Sequence, residues 1–219
     1  MERCFLFGNY NTWNDWGLIL TAKTDLEPPK VKTNYVDIEG MSGSMDLSEA
    51  LTGEPTYEDR TFSASFCACD SSYEERRSLL DYIISAIHGR KMKIMEPDDP
   101  GHYLYGRVTI EKVSHTAFLS EFTAEMRCDP WRYGLDEMVQ TIPVSSVSPV
   151  SVKIYNGGRK TVCPDILVSG QVTFTCCGVT SNATSGKYKV TTFKVYQGGN
   201  EIQVSGSGAL TLIYREAVL

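Results

Sequence analysis

Beyond residue 150 the chain is cut by glycine into short runs of alternating polarity, and this pattern constrains the fold more than any other feature. Runs at 151–155, 165–169, 171–177, 187–196, 200–204 and 208–215 are separated by Asn156-Gly157-Gly158, Ser169-Gly170, Ser185-Gly186, Gly198-Gly199-Asn200 and Gly206-Ser207-Gly208. Such runs suit strands, whose side chains alternate between two faces, better than helices, which need longer stretches. Evenly spaced short strands with glycine turns predict an antiparallel β-sandwich.

The first 133 residues are also strand-rich. Segments 18–22, 31–38, 60–69, 90–95, 102–113 and 116–128 read as strands. The segment at 60–69 is the cleanest, with Phe62, Ala64, Phe66 and Ala68 on one face. At 31–38 the pattern leaves the inward face ambiguous, and 45–51 reads as a short turn or strand. One helix is predicted over 72–88. Ser72 and Glu75 have capping-box spacing, Leu79, Leu80, Ile83, Ile84 and Ile87 form an apolar stripe, and Gly89 supplies a terminator. Glu74, Glu75, Arg76 and Arg77 fall on its solvated face. Pro143, Pro149 and several serines make 134–150 linker-like, or an extended crossover strand.

Charge changes at the same place. Residues 1–133 hold 22 acids against 14 bases, a net of −8, whereas residues 134–219 hold 5 against 7, a net of +2. These observations predict a domain over 1–133, a linker over 134–150 and a second domain over 151–219. An acidic first half also argues against grip on nucleic acid, which requires a basic face.

Motifs for chemistry are missing. Cys4, Cys67, Cys69, Cys128, Cys163, Cys176 and Cys177 contain no CxxC pair, so they read as small half-buried apolar side chains rather than a disulfide framework or zinc site. His88, His102 and His115 belong to no HExxH pattern, and no GxSxG elbow or phosphate loop occurs. Asp98-Asp99 lies between two prolines and suits a turn better than a calcium loop. No catalytic residue, metal or cofactor is expected. Trp13, Trp16 and Trp131 read as anchors of a core or protein interface, with sugar stacking the less favoured role. The N-terminus lacks a signal peptide's apolar region and no stretch is long and apolar enough for a membrane span, so folding in a cytoplasm is expected.

Several segments, in order, resemble the distal tail proteins of long-tailed phages that infect Gram-positive bacteria. They are Trp13-Asn14-Asp15-Trp16-Gly17-Leu18-Ile19-Leu20; the glycine turn before Asp46-Leu47 within Tyr35–Leu51; Tyr57–Arg60 with the Phe-rich strand after it; Gly101–Val108; and Cys128-Asp129-Pro130-Trp131. Glu39 stands where the family often has proline. The resemblance implies a mainly β protein: a ring-forming N-terminal domain with one α-helix, then a small galectin-like antiparallel β-sandwich. It implies a structural virion protein of the tail tip, made in the host bacterial cytoplasm. Six copies would form a ring joining the tail tube protein to the hub protein and, beyond it, receptor-binding proteins, while genomic DNA passes through the lumen without specific binding. Trp13, Trp16, Asp46, Leu47, Arg60 and Trp131 are then the interface candidates. The competing expectation is a carbohydrate-binding host-adhesion module. Its candidates are Tyr155, Phe174, Tyr188, Phe193, Tyr196 and Tyr214.

Overall fold

The computed structural model describes residues 3–69, 72–176 and 178–219. The chain is mainly β and separates into two compact units. One runs to Arg132 and takes in Leu219; the other is Tyr133–Val218.

The first unit contains β1 (Leu6–Phe7), β2 (Tyr10–Asn11), β3 (Ile19–Lys23), β4 (Tyr35–Asp37), β5 (Ser44–Asp46), β6 (Arg60–Ala68), α1 (Tyr73–Ile87), β7 (Lys91–Met95), β8 (His102–His115) and β9 (Ser120–Cys128). Seven of its strands are hydrogen-bonded in the order β2-β1-β7-β8-β9-β6-β3, with antiparallel ladders. Period-two alternation puts Phe62, Ala64, Phe66 and Ala68 of β6 on the buried face, as expected, beside Phe122, Ala124 and Met126 of β9. The Phe66 ring lies 5.7 Å from Phe5, 6.1 Å from Phe7 and 5.4 Å from Phe122, centroid to centroid. The apolar stripe of α1 covers this face with Leu80, Ile83, Ala86 and Ile87.

The helix begins where its sequence predicts. The Ser72 hydroxyl accepts from the Glu75 amide at 3.3 Å, and a Glu75 carboxylate oxygen accepts from the Ser72 amide at 2.9 Å. Gly89 follows with φ +72°. Arg76 departs from its expected place on the solvated face. It is buried, and its Nη2 donates to the carbonyls of Thr116 (3.2 Å) and Ala117 (2.9 Å) in the turn between β8 and β9. Helical spacing sets Arg76 one turn before Leu80, on the packed stripe, and the guanidinium finds acceptors there.

The chain crosses from the first unit to the second within β10 (Arg132–Gly134), which pairs with β16 (Ala217–Val218), and the second unit contains β11 (Met138–Val144), β12 (Val150–Asn156), β13 (Asp165–Cys176), β14 (Val179–Lys189) and β15 (Gly198–Tyr214). Strands β11, β15, β13 and β14 are hydrogen-bonded in that order. β12 pairs with the first part of β15, beside which β11 takes the later part. This is one antiparallel sheet, where the glycine spacing predicts more and shorter strands. Ile166, Val168, Val172, Phe174 and Cys176 of β13 and Ile202, Val204, Leu210, Leu212 and Tyr214 of β15 are all buried. With no helix among the unit's described residues, a sheet that hides one face over strands this long must curl on itself.

Glycine permits that curl. Gly206 (φ +119°) and Gly208 (φ +140°) sit inside β15, opposite Val172 and Gly170 of β13. A Cβ on Gly208 would lie 1.8 Å from the Ser169 carbonyl oxygen, and one on Gly206 would lie 2.2 Å from that of Gln171. The sequence reads these glycines as turns between strands; they are bends within them, and the ladder continues through.

Three expectations are corrected here. Residues 134–150 are not a linker: β11 pairs over seven residues with β15 and buries Ile142 and Val144. Pro143 is tolerated because β11 is an edge strand with one side free of ladder bonds. Second, the strand expected at 187–196 is Val179–Lys189. Its mostly exposed edge position explains why 179–186 is too polar to read as a strand, while Phe193 and Val195 are buried outside the ladder. Third, Ser185-Gly186 is not a hairpin turn, since Gly186 pairs with Val168 inside β14. Among the cysteines, Cys128 and Cys176 are buried, Cys4, Cys67 and Cys163 are half-buried and Cys69 is exposed; Cys177 lies outside the described residues.

Candidate assembly surface

Residues 30–58 leave the main sheet of the first unit as an arm. Its root is a short ladder: the Lys32 amide donates to Thr56 O and the Glu58 amide to Lys30 O, both at 2.8 Å, and Val31 bridges Tyr57. Arg60 clamps this root. Its Nε donates to Pro130 O at 2.8 Å and its Nη1 to Glu27 O at 3.2 Å. The side chain is buried, Nη2 has no protein acceptor, and burial holds the guanidinium pKa below its ordinary value. Tyr57 meets Trp131 edge-on at 5.5 Å. Arg60 and Trp131, far apart in sequence, therefore converge where the arm leaves the body.

Farther along, β4 and β5 form a two-stranded ribbon with Tyr35 opposite Asp46 and Asp37 opposite Ser44. Asp46 and Leu47 close it. The Asp46 carboxylate accepts from the Ser48 amide at 2.9 Å and from its hydroxyl, which holds the carboxyl pKa below its ordinary value, and the Leu47 amide donates to Asn34 O at 2.8 Å. Neither face of the ribbon is covered. Tyr35 is 60% exposed and Leu51 fully exposed, with Val36, Ile38, Met41 and Met45 also open to solvent. This explains why the sequence gives 31–38 no clear inward face. A lone two-stranded ribbon is marginal in water and ordinarily needs further packing.

Trp13 and Trp16 lie elsewhere, in the turn from β2 to β3. Trp16 is buried and stacks on Tyr10 at 5.1 Å, whereas Trp13 is half-buried. They anchor the start of β3, the last strand of the seven-stranded order. The side of β3 away from β6 has no strand partner among the described residues. Edges of this kind can take a further strand. The six interface candidates thus fall into three groups: Arg60 and Trp131 at the arm's root, Asp46 and Leu47 on the arm, and Trp13 and Trp16 beside the open edge.

The arm's charge was not singled out from sequence. Residues 30–58 hold six acids and two bases, so a net of −4 of the first half's −8 lies there. Counting charge in shorter windows would find it.

Other ionisable groups form local networks. Asp98 accepts from Arg3 at 2.6 Å and pairs with Lys23 at 2.6 Å, and these partners hold its carboxyl at about 2. Asp99 pairs with His102 at 2.8 Å and Arg132 at 3.0 Å. His88 Nδ1 accepts from the Ile110 amide, and His115 contacts the Ser120 hydroxyl. Burial pushes the Cys128 thiol up to about 12, far from a reactive thiolate. No group of three or more His, Cys, Asp or Glu among the described residues is placed to hold a metal ion, and none of their helices is long and apolar enough to cross a membrane.

In the second unit, Phe174, Phe193 and Tyr214 are core residues and Tyr188 is half-buried; only Tyr155 and Tyr196 of the six aromatic candidates are exposed.

No family model matches the sequence, and no curated protein matches it. Among solved structures, the chain matches the crystal structure of SPP1 Dit (gp 19.1), described as a paradigm of the hub adsorption apparatus in Gram-positive infecting phages, with a TM-score of 0.69 and 13% identity over 100% of both chains. From end to end, the chain has the fold of this siphophage distal tail protein.

Proposed function

We propose that this protein is a structural subunit of a phage tail tip. Six copies form a ring that joins the tail tube protein to the hub protein and receptor-binding proteins, and DNA passes through the ring without specific binding. The protein works as an assembly part of the virion rather than as an enzyme. The observation that carries this reading is the full-length match to SPP1 Dit. The open side of β3 supports it: an edge that receives a strand in a head-to-tail contact gives each copy one donor and one acceptor surface, and a closed rotation then yields a ring.

Electron microscopy of the purified protein, with mass photometry across a concentration series, tests the reading. Six-copy rings are expected at high concentration or on addition of tail tube or hub protein. A monomer that stays monomeric with both partners present would contradict it. The domains named from sequence, over 1–133 and 151–219, enter this proposal as ring and periphery, with the boundary moved to Arg132.

A further inference from the structure

We infer that the recess between β2 and the outer side of α1 binds an organic cation, an alkylammonium group held against tyrosine rings and a carboxylate. The site stands apart from the ring reading above, and neither depends on the other.

The recess has a volume of about 440 Å³, opens to solvent and is lined by Asn9, Tyr10, Asp15, Trp16, Leu79 and Tyr82. Small-molecule sites span roughly 300–1,000 Å³. Two segments build it. Leu79 and Tyr82 are three residues apart in α1, which places them on one side of the helix. Opposite them, the turn after β2 is tied by its own side chains. Asn11 Oδ1 accepts from the Trp13 and Asn14 amides, both at 2.9 Å, and the Asn11 amide donates to Asp15 Oδ2 at 2.7 Å. Trp16 is buried and stacks on Tyr10 at 5.1 Å. Tyr10 and Asp15 are therefore fixed before a ligand arrives, which lowers the ordering cost of binding.

No base lines the recess. Tyr82 is 53% exposed, which leaves ring surface for a ligand. A tyrosine face carries negative potential and attracts a cation within about 6 Å of its centre. A hydrogen bond to Tyr10 and, more weakly, the charge of Asp15 hold the Tyr82 phenol above its ordinary pKa, in keeping with negative potential there. Asp59, Asp98, Asp99 and Asp129 of the same unit each have an arginine or lysine partner. Asp15 is exposed and has none among the described residues. An alkylammonium ligand supplies the missing positive charge and lays its apolar part on Leu79. A sugar fits less well, because stacking needs an open ring face and Trp16 is covered by Tyr10.

Titration of the purified full chain, followed by amide NMR, tests this with choline and its uncharged carbon isostere, 3,3-dimethylbutan-1-ol. Choline is expected to shift the amides of Asn9–Trp16 and Leu79–Tyr82 saturably, and to bind about tenfold tighter than the isostere. N-acetyl-lysine methylamide separates two sources of the cation. Tighter binding than choline assigns the recess to a lysine side chain of a protein partner; weaker binding assigns it to a quaternary ammonium; either supports the inference. Tyr82→Leu and Asp15→Asn should each weaken binding about fivefold, whereas Tyr82→Phe, which keeps the ring, should stay within about twofold. Absence of saturable shifts with both cations, or an isostere that binds as tightly as choline, would overturn the inference. The isostere comparison uses the wild type, so it decides the matter even if a variant fails to fold.

Discussion

The arm and the second unit are both built from antiparallel strands, with no helix among their described residues, yet they treat apolar surface in opposite ways. In the second unit, alternate residues of β13 and β15 on both sides of the glycine bends bury into one apolar cluster. In the arm, β4 and β5 pair over three residues and cover neither face. Strand number and glycine placement separate the two outcomes. Five strands with glycine bends can enclose their own core, whereas two cannot. The ribbon alone leaves Tyr35, Val36 and Met45 open to solvent.

The most severe test of this contrast is at the bend. Gly208→Val sets a branched side chain at φ +140° with its Cβ 1.8 Å from a carbonyl oxygen. It should cost at least about 3 kcal/mol and unfold the second unit, read as loss of its denaturation transition. An unchanged transition would mean the curl does not depend on glycine. In the first unit, Phe66→Ala removes the ring shared by Phe5, Phe7 and Phe122 and should cost about 3–5 kcal/mol in chemical denaturation. Ser72→Ala removes the helix cap and should cost about 1 kcal/mol by the same assay.

Acid should reveal Asp98. Its carboxyl titrates at about 2 in the folded chain against an ordinary value of 3.8, so folding favours the ionised form. That contribution is complete above pH ~4 and is lost as pH falls toward ~2. Asp98→Asn should flatten the stability profile over this range; an identical profile would remove the ion pairs from the account. Smallest of all, Val36→Ser or Met45→Ser on the arm should change the free protein's stability by less than about 0.5 kcal/mol, because neither side chain is buried. A large loss would show that the arm is part of the core.

Elements governed by local chemistry were legible in the sequence. The Ser72–Glu75 cap, the stripe through Leu80, Ile83 and Ile87, and the alternation of β6 each need only a few neighbouring residues to specify them. What was not legible depended on distant partners. Gly170, Gly206 and Gly208 look like turns until β13 and β15 are placed side by side. Pro143 looks like linker until β11 is known to be an edge. Arg76 looks solvated until the Thr116 and Ala117 carbonyls lie beside it. Of the interface candidates, Arg60 reaches the Pro130 carbonyl, next to Trp131, only across the 70-residue separation that β6 and β9 close, and the arm's bare faces show only once Tyr35–Asp37 is placed.

Hydrogen–deuterium exchange, compared between the free protein and assembled tails, tests the central claim most directly. Residues 35–46 should exchange fast in the free chain and become strongly protected in tails, while β13 and β15 are protected in both. Equal, fast exchange of residues 35–46 in both states would contradict the account, because the arm would then stay uncovered in the assembly it is meant to join.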